Sequence, residues 1–205
     1  MADVTRGHGV FELFTTNGEI ERRRLTSPLF NTWMDTWAWL AVRLFAQRDV
    51  TASLSHFYVE YANVTTAGDQ VPLPSFSTAD PRDYYDALAA DPIRDYLRVP
   101  LLGGAVITSS AAFAASLASP RGNQVTLLGA VGDGVGENGK PFSGAVNSTV
   151  CGLAIVAAAN PLDRTQDVLF SRAYYPLGAQ ALKPESSTLM LTYTASFGDE
   201  EQGGS

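Results

Sequence analysis

The residues best spaced for chemistry lie in one glycine-rich stretch, Gly132-Asp133-Gly134-Val135-Gly136-Glu137-Asn138-Gly139-Lys140-Pro141. Gly134 to Lys140 fits the first seven positions of a phosphate-cradling P-loop, and a β-rich run from Gln124 to Val131 precedes it. The eighth position departs from the pattern. A P-loop places a Ser or Thr hydroxyl there for Mg²⁺ and begins a helix, whereas Pro141 has no hydroxyl and Phe142-Ser143-Gly144-Ala145 carries no helical stripe. Asp133 and Glu137 also put negative charge where phosphate would sit. The stretch therefore reads as a flexible β-connection, and no nucleotide is expected. Asp133, Glu137 and Asn138 are also hard oxygen donors of the kind Ca²⁺ takes, but EF-hand spacing is missing and no metal is expected.

Histidine-based catalysis would have to use His8 or His56. His8 falls in an N-terminal segment expected to be loose. His56 falls in an alternating strand, where a surface imidazole or a satisfied core imidazole is the simpler reading than a general base. The single cysteine, Cys151, excludes an intrachain disulfide and a thiolate cluster, and is expected to be buried and inert. Asp83 and Asp86 could form a carboxylate pair for glycoside cleavage, although acidic residues in a proline-rich loop are common. These residues together lead to an expectation of no catalytic residues and no cofactor.

The elements that must position such groups are mostly strands. Gly9 to Phe14 alternates and meets Asn17-Gly18, a pair suited to a type I′ turn, so a hairpin is expected with a charged return strand, Glu19 to Leu25. Residues 1–30 then form an N-terminal hairpin or arm. From Asn31 to Ala46 the period changes, with Met34, Trp37, Leu40, Ala41, Leu44 and Phe45 at three- and four-residue steps, which predicts one helix. Trp37 lies on its apolar stripe and belongs to the core, while Trp33 and Trp39 are candidates for a surface role.

Further strands are predicted over Ala52–Tyr61, Asp95–Leu101, Gln124–Val131, Val150–Ile155, Val168–Tyr175 and Leu189–Phe197. In the last, Leu189, Leu191, Tyr193 and Phe197 share one face, which marks a closing strand with that face on a core. The alanine-rich tract 111–118 is ambiguous between helix and strand. Between Val71 and Pro100 five prolines frame an acidic, aromatic stretch that reads as a long excursion with one helical turn. The expected architecture is mainly β: one antiparallel β-sandwich domain over 1–197, jelly-roll-like, with one helix in the N-terminal half, long loops and a flexible acidic tail over 198–205.

Composition limits the partners. A net charge of −7 over 205 residues argues against nucleic acid, which needs a basic stripe, and Arg22-Arg23-Arg24 follows Glu19 and Glu21 as a solvated edge. No stretch approaches the roughly 20 apolar residues of a membrane span, and Met1 to Arg6 lacks the apolar region of a signal peptide. The expectation is a chain made and folded in a cytoplasm, with the sequons at Asn63 and Asn147 as chance matches.

The order of features from about 30 to 197 resembles tailed-bacteriophage virion proteins, among them small tail-collar and tail-fibre-associated β-proteins. The residues carrying this likeness are the segment Asn31 to Ala46, the strand Leu54 to Tyr61, Cys151-Gly152-Leu153, Leu169-Phe170-Ser171-Arg172, Lys183-Pro184 and the final strand ending in Phe197. The resemblance implies a non-enzymatic structural part of the virion in the tail, collar or neck, a homo-oligomer that binds other virion proteins and neither nucleic acid nor membrane. Capsid decoration and a glycan-binding receptor module are the alternatives. Phe76, Tyr84, Tyr85 and Tyr96 in the 71–100 excursion are the candidate partner-contact residues, since tyrosine-rich loops favour interfaces.

Overall fold

The computed structural model describes residues 7–16, 22–24, 29–33, 53–72, 81–103, 106–108 and 124–197. Phe76, Trp37, Trp39, the tract 111–118, the tail 198–205 and the body of the expected helix, 34–46, lie outside them.

The chain is mainly β and antiparallel, with a sandwich-like arrangement. Its strands are β1 (Gly7–Thr16), β2 (Arg22–Arg24), β3 (Leu29–Trp33), β4 (Ser53–Asn63), β5 (Arg94–Pro100), β6 (Val106–Thr108), β7 (Gln124–Val131), β8 (Gly134–Val135), β9 (Pro141–Phe142), β10 (Ser148–Ala158), β11 (Asp167–Tyr174), β12 (Ala181–Leu182) and β13 (Thr188–Phe197). The main path runs β5-β4-β10-β11-β3-β1-β13-β7-β6, while β8 and β9 form a small ribbon of their own.

Two places join the sheets. At one, β3 pairs with β1 through Leu29 to Asn31 and with β11 through Thr32 and Trp33. At the other, the chain leaving β5 crosses over: Leu101 bridges to Gly129 on β7, the Leu102 N–H donates to the Leu128 carbonyl at 2.7 Å, and β6 continues pairing along β7. The path thus turns back on itself at Leu101 and Leu102, while β5 and β6 stay at its two ends.

Alternation decides what fills the interior. Phe11 and Leu13 of β1, Leu127 of β7, and Leu189, Leu191 and Tyr193 of β13 face Phe57, Val59 and Tyr61 of β4, Leu97 and Val99 of β5, and Leu153 and Ile155 of β10. Leu189, Leu191 and Tyr193 of the closing strand therefore face the core as the sequence predicts, while the side chain of Phe197 lies outside the described residues. Strand β10 is buried along its whole length because it lies between β4 and β11 with both faces covered. At Gly152 this leaves no room for a side chain. A Cβ on Gly152 would come within 2.8 Å of the Tyr174 ring and 3.0 Å of the Ala173 carbonyl.

Several expectations need correction. Asn31, Thr32 and Trp33 do not begin a helix; they are strand residues, held by pairing partners on β1 and β11, and tertiary pairing overrides the local helical period. The N-terminal hairpin exists, but Thr16 pairs with Arg22, whereas a two-residue turn at Asn17-Gly18 would have paired it with Glu19. Nor is this segment an arm. β1 lies between β3 and β13 with Phe11 and Leu13 fully buried, and His8 sits in that strand opposite Ser196. Within the 71–100 excursion, the helix Pro81–Ala87 runs into a 3₁₀ turn, Leu88–Ala90, which is more regular structure than the single helical turn expected.

Candidate functional site

The chemistry-bearing side chains gather on the outer face of β5-β4-β10-β11, beneath the helix Pro81–Ala87. Since Phe57, Val59 and Tyr61 point into the core, Tyr58 and Glu60 point the other way, and the register sets Tyr58 opposite Arg98 and Glu60 opposite Tyr96 on β5. Arg172 arrives from β11, two strands from β4 across β10. A charge on a strand buried on both faces must find an opposite charge.

Glu60 finds Arg172 in a bidentate pair, with both N–O distances 2.6 Å and both side chains almost fully buried. The Tyr85 hydroxyl donates to Glu60 at 2.8 Å and that of Tyr84 at 3.3 Å. Four donors fill the lone-pair sites of a carboxylate. The Arg172 guanidinium also lies over the rings of Tyr84, 4.4 Å from its centroid, and Tyr174, at 4.9 Å. Burial alone would depress the guanidinium's affinity for its proton, but the charge and hydrogen bonds of Glu60 outweigh it and push the pKa up. Burial, then Glu60, pushes the Tyr85 hydroxyl well above its ordinary range, so it stays a donor.

A second pair lies nearer the β10–β11 hairpin. Arg98 donates to both oxygens of Asp167 at 2.6 and 2.7 Å, the Tyr58 hydroxyl adds a 2.5 Å bond, and a further N–H of Arg98 reaches the Pro161 carbonyl at 2.6 Å. Between the two pairs, Tyr58, Tyr85 and Tyr96 pack with ring centroids 4.8 to 4.9 Å apart. Burial raises the Tyr96 hydroxyl to about 12, and it accepts a bond from Arg164. Together these contacts fix the helix Pro81–Ala87 to the sheet. They engage Glu60 with four donors and Asp167 with three, so the arrangement ties strands and helix together.

The proposed contact residues divide accordingly. Tyr85 and Tyr96 are not a surface; they lie inside this cluster at 4% and 2% exposure, and Tyr84 is half-buried against Arg172. A tyrosine suits a buried site with a polar partner as well as it suits an interface. Of the speculative carboxylate pair, Asp86 is exposed and reaches toward Arg164 at 3.8 Å, while Asp83 lies on the same helix.

The glycine-rich stretch closes one end of the core, where β8 and β9 bracket its turn. What it cradles is Asp95, fully buried on β5, to which Asn138 donates through its backbone N–H and side-chain amide and Lys140 through its backbone N–H. The residues weighed for Ca²⁺ are dispersed among other tasks. Asp133 pairs at 2.6 Å with Lys183, whose fully buried ammonium also meets the Ser187 and Pro184 carbonyls; Glu137 faces Arg164; and Asn138 serves Asp95. Among the described residues no group of three potential ligands converges.

Cys151 is buried and donates to the Thr149 carbonyl, with burial first and Glu60 second pushing its thiol up to about 12. His56 is buried beside the Arg98–Asp167 pair, and its Nδ1 has no hydrogen-bond partner among the described residues. Burial and then the Arg98 charge lower its pKa below 6.5, with Asp167 opposing. The unfolded chain therefore binds this proton more readily, and the folded state loses stability as pH falls through about 6.5 toward the lowered value. Replacing His56 with Gln removes that part of the decline. Urea midpoints measured from pH 7.5 to 5 should fall less steeply for His56→Gln than for the parent, and equal slopes would refute the assignment.

Sequence reasoning missed Glu60, Arg98, Asp167 and Arg172. A signal was present: Glu60 is a lone acid inside Phe57-Tyr58-Val59-Glu60-Tyr61, a run otherwise suited to burial. Its partner lies 112 residues away, and nothing local indicates it. No protein family, curated protein or solved structure matches the chain.

Proposed function

We propose that the protein is a structural component of a tailed-phage particle, placed in the tail, collar or neck and acting through contacts between copies and with other virion proteins. The observation that carries this reading is the commitment of the strongest chemical groups to internal partners. Glu60, Asp167, Asp95 and Lys183 each spend their bonding capacity fastening one part of the chain to another, and a tightly fastened shell suits a part that bears load.

The contact surface differs from the one the sequence suggests. With Tyr85 and Tyr96 inside, the large apolar side chains most exposed among the described residues are Leu162 at the β10–β11 hairpin, 94% exposed, Val135 on β8 at 64% and Leu177 at 60%. These side chains lie in loops and on the short ribbon β8-β9, which makes those segments the proposed points of contact.

Mass spectrometry and labelled imaging of purified particles test the reading. The expected result is a ring of about a dozen copies at the neck or tail, following the cyclic symmetry of such parts. A count on the order of hundreds over the shell would make it a decoration protein instead. Absence from intact particles would remove the proposal.

A further inference from the structure

The glycine-rich turn fails as a phosphate cradle, yet its backbone is arranged to receive an anion. Asn138 N–H lies 3.1 and 3.2 Å from the two Asp95 oxygens, its side-chain amide 3.0 Å from one, and Lys140 N–H 3.0 Å from the other, while Tyr96 N–H donates at 2.8 Å from the strand side. Among the described residues no cationic side chain forms an ion pair with Asp95. Convergent neutral N–H groups around one anion constitute a nest, a recurrent anion-binding device.

The pocket is shaped to the carboxylate. A Cβ on Gly136 would overlap the Asp95 carboxylate and lie 2.5 Å from the Tyr61 hydroxyl, so glycine at this position makes the room that the ligand occupies. The turn also holds its shape by bonds that do not involve Asp95. Gly136 N–H donates to the Lys140 carbonyl at 2.8 Å, Gly139 N–H to the Gly136 carbonyl at 2.9 Å, the Tyr61 hydroxyl to the Lys140 carbonyl at 2.6 Å, and Glu137 N–H to the Tyr96 carbonyl at 2.9 Å. Gly139 adopts φ +88°, which lets the chain turn back without strain.

We propose that the turn Gly134 to Lys140 is a binding site for a small carboxylate, occupied in this chain by its own Asp95, and that it takes up free formate or acetate when that side chain is shortened. A receptor organised independently of its ligand keeps its donors in place after the ligand is removed. Asp95→Ala leaves space for a formate ion, and Asp95→Gly for an acetate ion.

The test is thermal unfolding of the full chain in sodium formate, sodium acetate and sodium chloride at matched ionic strength. Both variants should melt lower than the parent in chloride. Formate should raise the midpoint of Asp95→Ala more than that of the parent, and acetate should do the same for Asp95→Gly, each increasing with the logarithm of concentration as ligand linkage requires. Shifts equal to those of the parent, or a shortened variant that stays unfolded in its matching carboxylate, would overturn the proposal. Asp95→Asn, which keeps the volume, gives a second reading by amide hydrogen exchange. It should speed exchange at Asn138 and Lys140 while leaving Gly136 and Gly139 protected; unchanged protection at Asn138 and Lys140 would overturn the proposal as well.

Discussion

Replacing Arg172 with methionine should lower the stability of the fold by about 3–5 kcal/mol, the cost of leaving a buried charge without its partner. The site meets the conditions for a value in that range: Glu60 and Arg172 are both buried, both of their bonds are 2.6 Å, and two tyrosine rings exclude water from the guanidinium. Glu60→Gln should cost less than Glu60→Leu, since an amide still accepts from the Tyr85 hydroxyl. The double change, Glu60→Leu with Arg172→Met, should recover much of the loss because no unpaired charge remains, but not all of it, because the Tyr84 and Tyr85 hydroxyls lose their acceptor. Urea unfolding of the parent and the four variants measures this directly. If the losses simply add, the two side chains are not coupled in the folded chain.

Phe57→Ala should cost a similar amount, about 3–5 kcal/mol, for another reason: it empties a fully buried ring position. The ring packs against Gly129, where an added Cβ would stand 2.8 Å from it. Gly129→Ala alone should therefore destabilise by about 1–3 kcal/mol through overpacking. Combining the two should cost less than their sum by about 1 kcal/mol or more, because the methyl group enters the space the ring has left. Since Gly129 is also the residue to which Leu101 bridges, the same cycle reports on the place where the sheet closes. Strict additivity would mean that Phe57 and Gly129 do not touch.

These side chains also show where sequence reading stops. Strands β4, β5, β7, β10, β11 and β13 were legible because alternation and β-branched or aromatic residues are local properties. The closure is not local: it rests on one bridge and one hydrogen bond, at Leu101 and Leu102. Asn31 to Trp33 open a segment of helical period, and pairing with a strand on either side makes them a strand instead. Tyr85 and Tyr96 read as surface residues in the sequence because composition does not distinguish a tyrosine facing a partner from one facing an internal carboxylate. The glycine-rich turn displayed its donors in sequence, but the acceptor, Asp95, stands 43 residues earlier than Asn138.

The pairing of the first described strand with the last, Gly7 opposite Phe197 through Thr16 opposite Thr188, has a consequence for synthesis. On the ribosome, β1 can be made, and can meet β3, long before its other neighbour exists. Residues 188–197 emerge only after everything before them, so during translation one side of β1 and one side of β7 both wait for β13. Contacts of such long sequence separation form slowly, and strands left half-paired are prone to join other chains. The interval between making the first strand and making the last is thus the time of greatest risk for this protein, and a chain truncated before Thr188 has no means of ending it.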